Sequence, residues 1–344
     1  MHYLRNFLYC LIFLLLMAVA NIAKAQDLHF SQFYANRLYL NPALTGVTEC
    51  GEISLNYRNQ WPGIPGTFSM INASYDQHVD VLHGGVGVMV NHFMEGNAAY
   101  SSTSAGVSYS FDMKLSEDFR LTLGTQANLV FRRINWEHFT FADQYDEYLG
   151  IVRPTGETFP SRLYKFYADF SAGLLASYRD WYFGFAVHHF SRPNIAMQSE
   201  RQRLNIRYTA HIGGRIYFVP KTDRYRHEHL FNITPNIVYT LQGNTNILNY
   251  GLYANYHPVV FGVSFRNTFY LKKDPAIQQD IFEAVSFLVG FQHKSINIAY
   301  SYDLSLTKIR KIDAGAHEIT LSYTLPCKVF NHKTNFEPIY CPKF

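Results

Sequence analysis

The chain is poor in cysteine and in charge, and beyond its first 25 residues it has no long apolar run. Four cysteines occur in 344 residues, and Cys10 lies in an amino-terminal leader, so only Cys50, Cys327 and Cys341 remain. That excludes a disulfide scaffold. Cys327 with Cys341, in the tail, is the preferred pairing; Cys50 with Cys327 is the alternative, if the two ends of the chain meet. Charged residues make up 16% of the sequence. Once Arg5 and Lys24 leave with the leader, 28 basic residues face 26 acidic ones. A net charge so near zero offers no field for nucleic acid, which is not expected as a partner. No stretch after residue 25 approaches the roughly 18 apolar residues of a spanning helix. There is no G-x-S-x-G, no P-loop and no paired-carboxylate signature, and no spacing selects a serine and a histidine as nucleophile and base. No catalytic residue is therefore assigned, and an enzyme is not expected. His188-His189 and His227-Glu228-His229 lack an obvious third ligand, so neither metal nor cofactor is expected.

What the sequence does have is an export signal, many aromatics and a period of two. Residues 1–25 read as a cleaved signal peptide: Arg5 supplies the charge, residues 7–20 the apolar core, and Ala23-Lys24-Ala25 the cleavage site before Gln26. Tyrosine and phenylalanine number 26 and 28. A soluble protein would need a very large core to bury them, whereas a membrane barrel can turn them outward, into lipid and its two interfaces. Apolar and polar residues alternate in ISLNYRNQW, where Ile53, Leu55, Tyr57 and Trp61 share one phase and Ser54, Asn56, Arg58 and Gln60 the other. The same holds for LTLGTQANLVF (121–131), INIAYSYDLSL (296–306) and EITLSYTL (318–325).

Fourteen such segments are predicted, near 51–60, 67–77, 84–94, 98–111, 119–132, 166–178, 181–190, 206–218, 228–241, 246–256, 259–269, 281–292, 295–304 and 316–325. Their connections alternate in length. Turns at Arg179-Asp180, His257-Pro258 and His293-Lys294 fall on one side, and loops 133–165, 191–205, 270–280 and 305–315 on the other. One-sided loops are what an outer-membrane barrel shows, and a closed sheet satisfies every backbone group in hydrocarbon. The expected fold is an all-β, antiparallel, transmembrane outer-membrane barrel of about 14 strands over 50–326. Segment 26–49 would precede it, and a periplasmic tail, 327–344, would follow. Pro235 conflicts with its strand, and a bulge is expected there.

The stretch QDLHFSQFYANRLYLNPALTG (26–46) is too polar for a membrane helix and too irregular for an amphipathic one. Its Phe30, Ser31, Gln32, Asn36, Asn41, Pro42, Ala43 and Gly46 resemble the opening signature of the PorP/SprF membrane proteins of the type IX secretion system of Bacteroidota. YRNQWPGIPGTF (57–68), GVGVMVNHFMEG (85–96), SYD (301–303), HEITLSY (317–323) and the terminal CPKF resemble later parts of the same family, in order, over nearly the whole mature chain. The resemblance implies an outer-membrane component of type IX secretion and gliding motility, needed to export or retain large adhesins and other cargo with C-terminal sorting domains. Its implied partners are outer-membrane lipid, that cargo, and periplasmic lipoproteins and peptidoglycan-binding proteins.

From the residues themselves, the opening segment, with Phe30, Ser31, Gln32, Asn36, Asn41, Pro42 and Gly46, is either a lead-in packed under the barrel or a plug or partner-docking element. Arg58 and Gln60 lie on the lumen phase, and Arg58 is expected to pair with an acid such as Asp303. Trp61, with Tyr57, suits an interface girdle, and His317-Glu318 opens the last strand as a polar pair. Trp136, Phe139, Tyr145 and Tyr148 mark the longest outer loop as a partner surface. A porin or solute transporter is the alternative function.

Overall fold

The computed structural model describes residues 27–326, with breaks at 28, 49, 65, 147, 149, 153, 159–162, 198–200, 219–230 and 271–281. The leader, the 327–344 tail with Cys327 and Cys341, and His227-Glu228-His229 lie outside these residues. Cys50 is disulfide-bonded; which of the other cysteines it reaches lies outside the described residues.

Among the described residues, fourteen long strands follow one another around a single antiparallel ring. They are β1 (Glu52–Gln60), β2 (Phe68–Val79), β3 (Gly84–Glu95), β4 (Tyr100–Lys114), β5 (Phe119–Ile134), β6 (Tyr164–Tyr178), β7 (Trp181–His188), β8 (Arg207–Gly214, resuming at Ile216–Tyr217), β9 (Asn232–Gln242), β10 (Thr245–Tyr256), β11 (Val259–Tyr270), β12 (Phe282–His293), β13 (Ile296–Ser305) and β14 (Ala316–Thr324). The ring closes where β1 pairs with β14, from Glu52↔Thr324 to Gln60↔Ala316. Closure leaves no strand edge unpaired, the condition for placing a sheet in hydrocarbon.

The pleat sorts the side chains. On β1, Ile53, Leu55 and Tyr57 face out, while Ser54, Asn56 and Arg58 are buried inside. The outer wall is apolar and aromatic around the ring, with stacked pairs such as Tyr250–Phe265 at 5.5 Å. The inner wall carries serine, threonine, asparagine and paired charge. This is an inside-out distribution for a water-soluble protein and the normal one for a lipid-embedded barrel.

Both ends of the ring's sequence, Glu52 and Thr324, lie at the end with the turns 179–180, 257–258 and 294–295, here called the inner end. The 61–67, 135–163, 189–206 and 306–315 connections project from the other, outer end. The one-sidedness is incomplete: Gly243-Asn244 makes a two-residue turn at the outer end, and a long connection follows Tyr217 at the inner end.

Pro235 corrects the sequence reading. No residue is inserted, for Gly213↔Asn236 and Ile216↔Ile233 keep β8 and β9 in step. The ladder instead lapses over Gly214 and Arg215, opposite the imino acid that has no N–H to give. Arg215 turns its own N–H to the Asp180 carbonyl. The register shift among the described strands falls elsewhere, at Arg266/Asn267 against β12.

Candidate functional site: the lumen and the segment inside it

Residues 30–48 run inside the ring, and nearly all of them are buried. Their local shape follows from sequence. A residue before proline avoids the helical region, so the short helix α1 (Arg37–Leu40) stops at Asn41, which is extended at φ −159°. Pro42 opens a 3-10 turn (Pro42–Leu44), and the Asn41 carboxamide oxygen accepts the Ala43 N–H at 2.9 Å. Gly46, at φ +67°, redirects the chain.

Three sets of contacts tie this segment to the wall. Ser31 and Gln32 meet a charged group on β1, β11, β13 and β14. Arg58 reaches Asp303 at 2.8 Å and Glu318 at 3.1 Å, and Arg266 reaches Asp303 at 3.1 Å. The Ser31 hydroxyl accepts from both guanidiniums at 2.7 Å and donates to Asp303 at 2.5 Å. The Ser31 and Gln32 backbone N–H groups donate to the Glu318 carboxylate at 2.8 and 3.1 Å. Ser286 donates to the other Asp303 oxygen, and Asn56 donates to Glu318 at 3.0 Å. All four ionised side chains are therefore compensated, the condition for keeping charge in a water-poor interior.

At the inner end, Arg37 pairs with Glu52 and Asp76 at 3.0 Å each, and the free Asp76 oxygen accepts the Gly46 N–H at 2.8 Å. At the outer end, Asp27 meets His189 at 2.6 Å and Arg207 at 3.2 Å, and His189 also meets Asp169 at 2.7 Å. Arg207 lies 4.7 Å over the Tyr39 ring. Burial alone would raise the Asp27 carboxyl, but the His189 and Arg207 charges hold it well below the usual carboxylate range. Burial would likewise lower His189, yet Asp27 and Asp169 raise it to about 9.

Between these polar sets, Phe33, Tyr34, Leu40, Ala43, Leu44 and Val47 pack on Leu175, Tyr182, Val238, Tyr253, Val260 and Leu288 of the wall. Glycines allow the approach. A Cβ on Gly124 would stand 2.2 Å from the Ala43 nitrogen, and one on Gly173 would overlap the Asn41 carboxamide. Asn41 donates to the Leu174 carbonyl at 3.1 Å and faces His211 at 3.1 Å.

The residues singled out from sequence thus divide. Phe30, Ser31, Gln32, Asn36, Asn41, Pro42 and Gly46 are all buried in the lumen, with Arg58, Asp303 and Glu318 around Ser31, Glu318 also on Gln32, and Phe30 edge-on to Tyr39. Gln60 accepts from Arg58 at 3.3 Å. His317 stands apart from this group: its phase places it on the outer face, against Tyr300 and Tyr302. Trp61 leaves β1 at φ +59° and packs edge-on to Phe68 at the outer rim. Trp136 clusters with Phe139 and Phe141, while Tyr145 and Tyr148 are exposed. His188 bonds Ser171 and the Leu40 carbonyl. Asp27, Arg37, Asp76, Asp169, Arg207 and Arg266 were not singled out. The signal that finds the strand residues among them is a charge on the polar phase, as Asp76 shares its face with Asn72, and Arg207 with Thr209 and His211.

A closed antiparallel ring with an apolar exterior, built around a segment of its own chain, is an integral outer-membrane barrel. Residues 22–323 match the model of the type IX secretion system membrane protein PorP/SprF family, and the chain belongs to that family. No curated protein matches it. Among solved structures it is similar to a FadL homologue of Pseudomonas aeruginosa, at 10% identity over 83% of this chain and 92% of that one, with a TM-score of 0.45. It is also similar to the toluene transporter TbuX of Ralstonia pickettii, at 10% identity over 84% and 93%, TM-score 0.45. A third is BamA from Haemophilus ducreyi lacking POTRA domains 1-3, at 12% identity over 81% and 71%, TM-score 0.41.

Proposed function

We propose that this barrel is a non-enzymatic docking component of type IX secretion. It holds an adhesin, or other cargo with a C-terminal sorting domain, at its outer face, and engages periplasmic lipoproteins and peptidoglycan-binding proteins of the apparatus at its inner face. The observation that carries this reading is the lumen itself. A ring evolved to conduct would keep its polar inner wall wet, whereas here serine, glutamine and arginine side chains of the opening segment take up the wall's charged groups. Family membership supports the secretion assignment, and the projecting 135–163 connection, with Trp136, Phe139, Tyr145 and Tyr148, offers the outer docking surface.

The solute-transporter reading has one observation in its favour: a small cleft of about 50 Å³ beside the segment, where apolar Phe30, Phe33 and Val238 meet polar Asp27, Arg207 and Gln242. Affinity capture of the tagged barrel from its native membrane, with and without residues 26–46, separates the two. Recovery of a large secreted protein together with periplasmic secretion proteins supports docking. Recovery of the barrel alone, under conditions that preserve other envelope complexes, contradicts it.

A further inference from the structure

The two ends of the lumen segment lie at opposite rims of the ring. Asp27 is held by Arg207, the first residue of β8, and by His189, the residue after β7; its N–H donates to Gln242, the last residue of β9, at 2.9 Å. All three positions belong to the outer end, from which the long connections project. The other end of the segment is at the inner rim. The Gly46 N–H reaches Asp76, near the end of β2, and the Thr45 carbonyl accepts from Ser110 at 2.7 Å. A Cβ on Gly85, the second residue of β3, would stand 2.3 Å from that same carbonyl. The chain then enters β1 at Glu52, also at the inner rim.

We infer that the amino-terminal end of the exported chain is threaded through the barrel and opens to the cell surface beside the 189–206 connection. The carboxyl end of the ring, at Thr324, stays on the periplasmic side. The path has a consequence for assembly. The segment is covalently joined to β1 at one rim and clamped by charge at the other, while β1 and β14 are hydrogen-bonded along nine paired positions. A finished ring has no seam through which the segment could enter sideways. It is taken up as the ring closes, and the outer clamp of Asp27, His189, Asp169 and Arg207 forms with it. The outer mouth then presents to an extracellular partner a surface built from two parts of the chain, the amino-terminal end and the rim loops. This inference does not depend on what the barrel docks.

The test is accessibility in intact cells. A short epitope between Gln26 and Asp27 is compared with one at Tyr148 in the outer loop and one at Lys294 in an inner turn. Antibody is expected to label the first as it labels the Tyr148 epitope, before the outer membrane is permeabilised. Labelling that appears only after permeabilisation, as for Lys294, overturns the inference. Because an insertion can push the end out of place, a second measurement uses the paired variant D27C/H189C treated in cells with a short bismaleimide. An intramolecular cross-link, read as a mobility shift, is expected for this pair. A cross-link for D27C/K294C and none for D27C/H189C places the end at the inner rim and overturns the threading.

Discussion

Ser31 receives two guanidinium groups and gives its proton to a carboxylate, so one hydroxyl completes a buried group of four charges. The partners depend on one another more than on Ser31. Removing Arg58 takes from Glu318, 1% exposed, the cation it pairs with and leaves Asp303, 3% exposed, with Arg266 alone. Breaking such a group from one side costs about 3–5 kcal/mol. Arg58→Ala is expected to lower the unfolding midpoint of the detergent-solubilised barrel accordingly, and Ser31→Ala to lower it by less, about 1–3 kcal/mol for an unmade bond to charge. Equal midpoints for Arg58→Ala and the parent would contradict the buried network. The outer clamp depends on pH. His189 is raised from 6.5 to about 9, so its contribution is complete below 6.5 and is lost as pH rises through 9. Asp27 is lowered, so its contribution is complete above its ordinary value of 3.8. Between them the clamp holds from about 4 to 9. Amide hydrogen exchange at residues 29–31, corrected for intrinsic rate, is expected to lose protection above pH 9 in the parent and at neutral pH in His189→Ala. Protection unchanged to pH 10 would show that the end is held by packing alone.

At the scale of elements, the wall was legible and its contents were not. Strands announce themselves by a period of two because lipid and lumen impose opposite demands on adjacent residues. All fourteen predicted segments needed only end adjustments of a few residues, and even Pro235 sits in the strand assigned to it, with its ladder lapse displaced onto β8. The lumen segment has no period to read. Its fold is fixed by partners far away in sequence, such as Asp27 with His189 and Ser31 with Asp303, and single-sequence spacing carries no trace of such pairs. His188-His189 illustrates the loss: adjacent in sequence, the two rings both turn to the lumen but serve different partners, Ser171 and the Leu40 carbonyl for one, Asp27 and Asp169 for the other. Glycines were visible but mute, since Gly124 and Gly173 mark close approach without saying what approaches. Gly124→Ala is expected to displace Pro42–Leu44, because both clashing groups are backbone. Proteolysis and exchange at residues 40–46 should increase while the strands stay protected; unchanged exchange would mean that the turn has slack. Deleting 26–46 removes the whole apolar set around Leu44 and Tyr34, each large side chain worth about 1.5–3 kcal/mol of burial. The shortened barrel is expected to insert, keep its heat-modifiable mobility on gels, and melt at lower temperature. Failure to insert would show that the ring cannot close without its contents.

For the whole molecule, the outward aromatics and closed ring place the chain in the outer membrane, and its family places it in type IX secretion. The step from there to docking rests on a lumen occupied by the chain itself. Planar-bilayer recording tests that directly. The intact protein is expected to be electrically silent, and the 26–46 deletion to open steps of defined conductance. Intact protein that conducts with the same steps as the deletion would contradict the plugged barrel and return the molecule to the transporters.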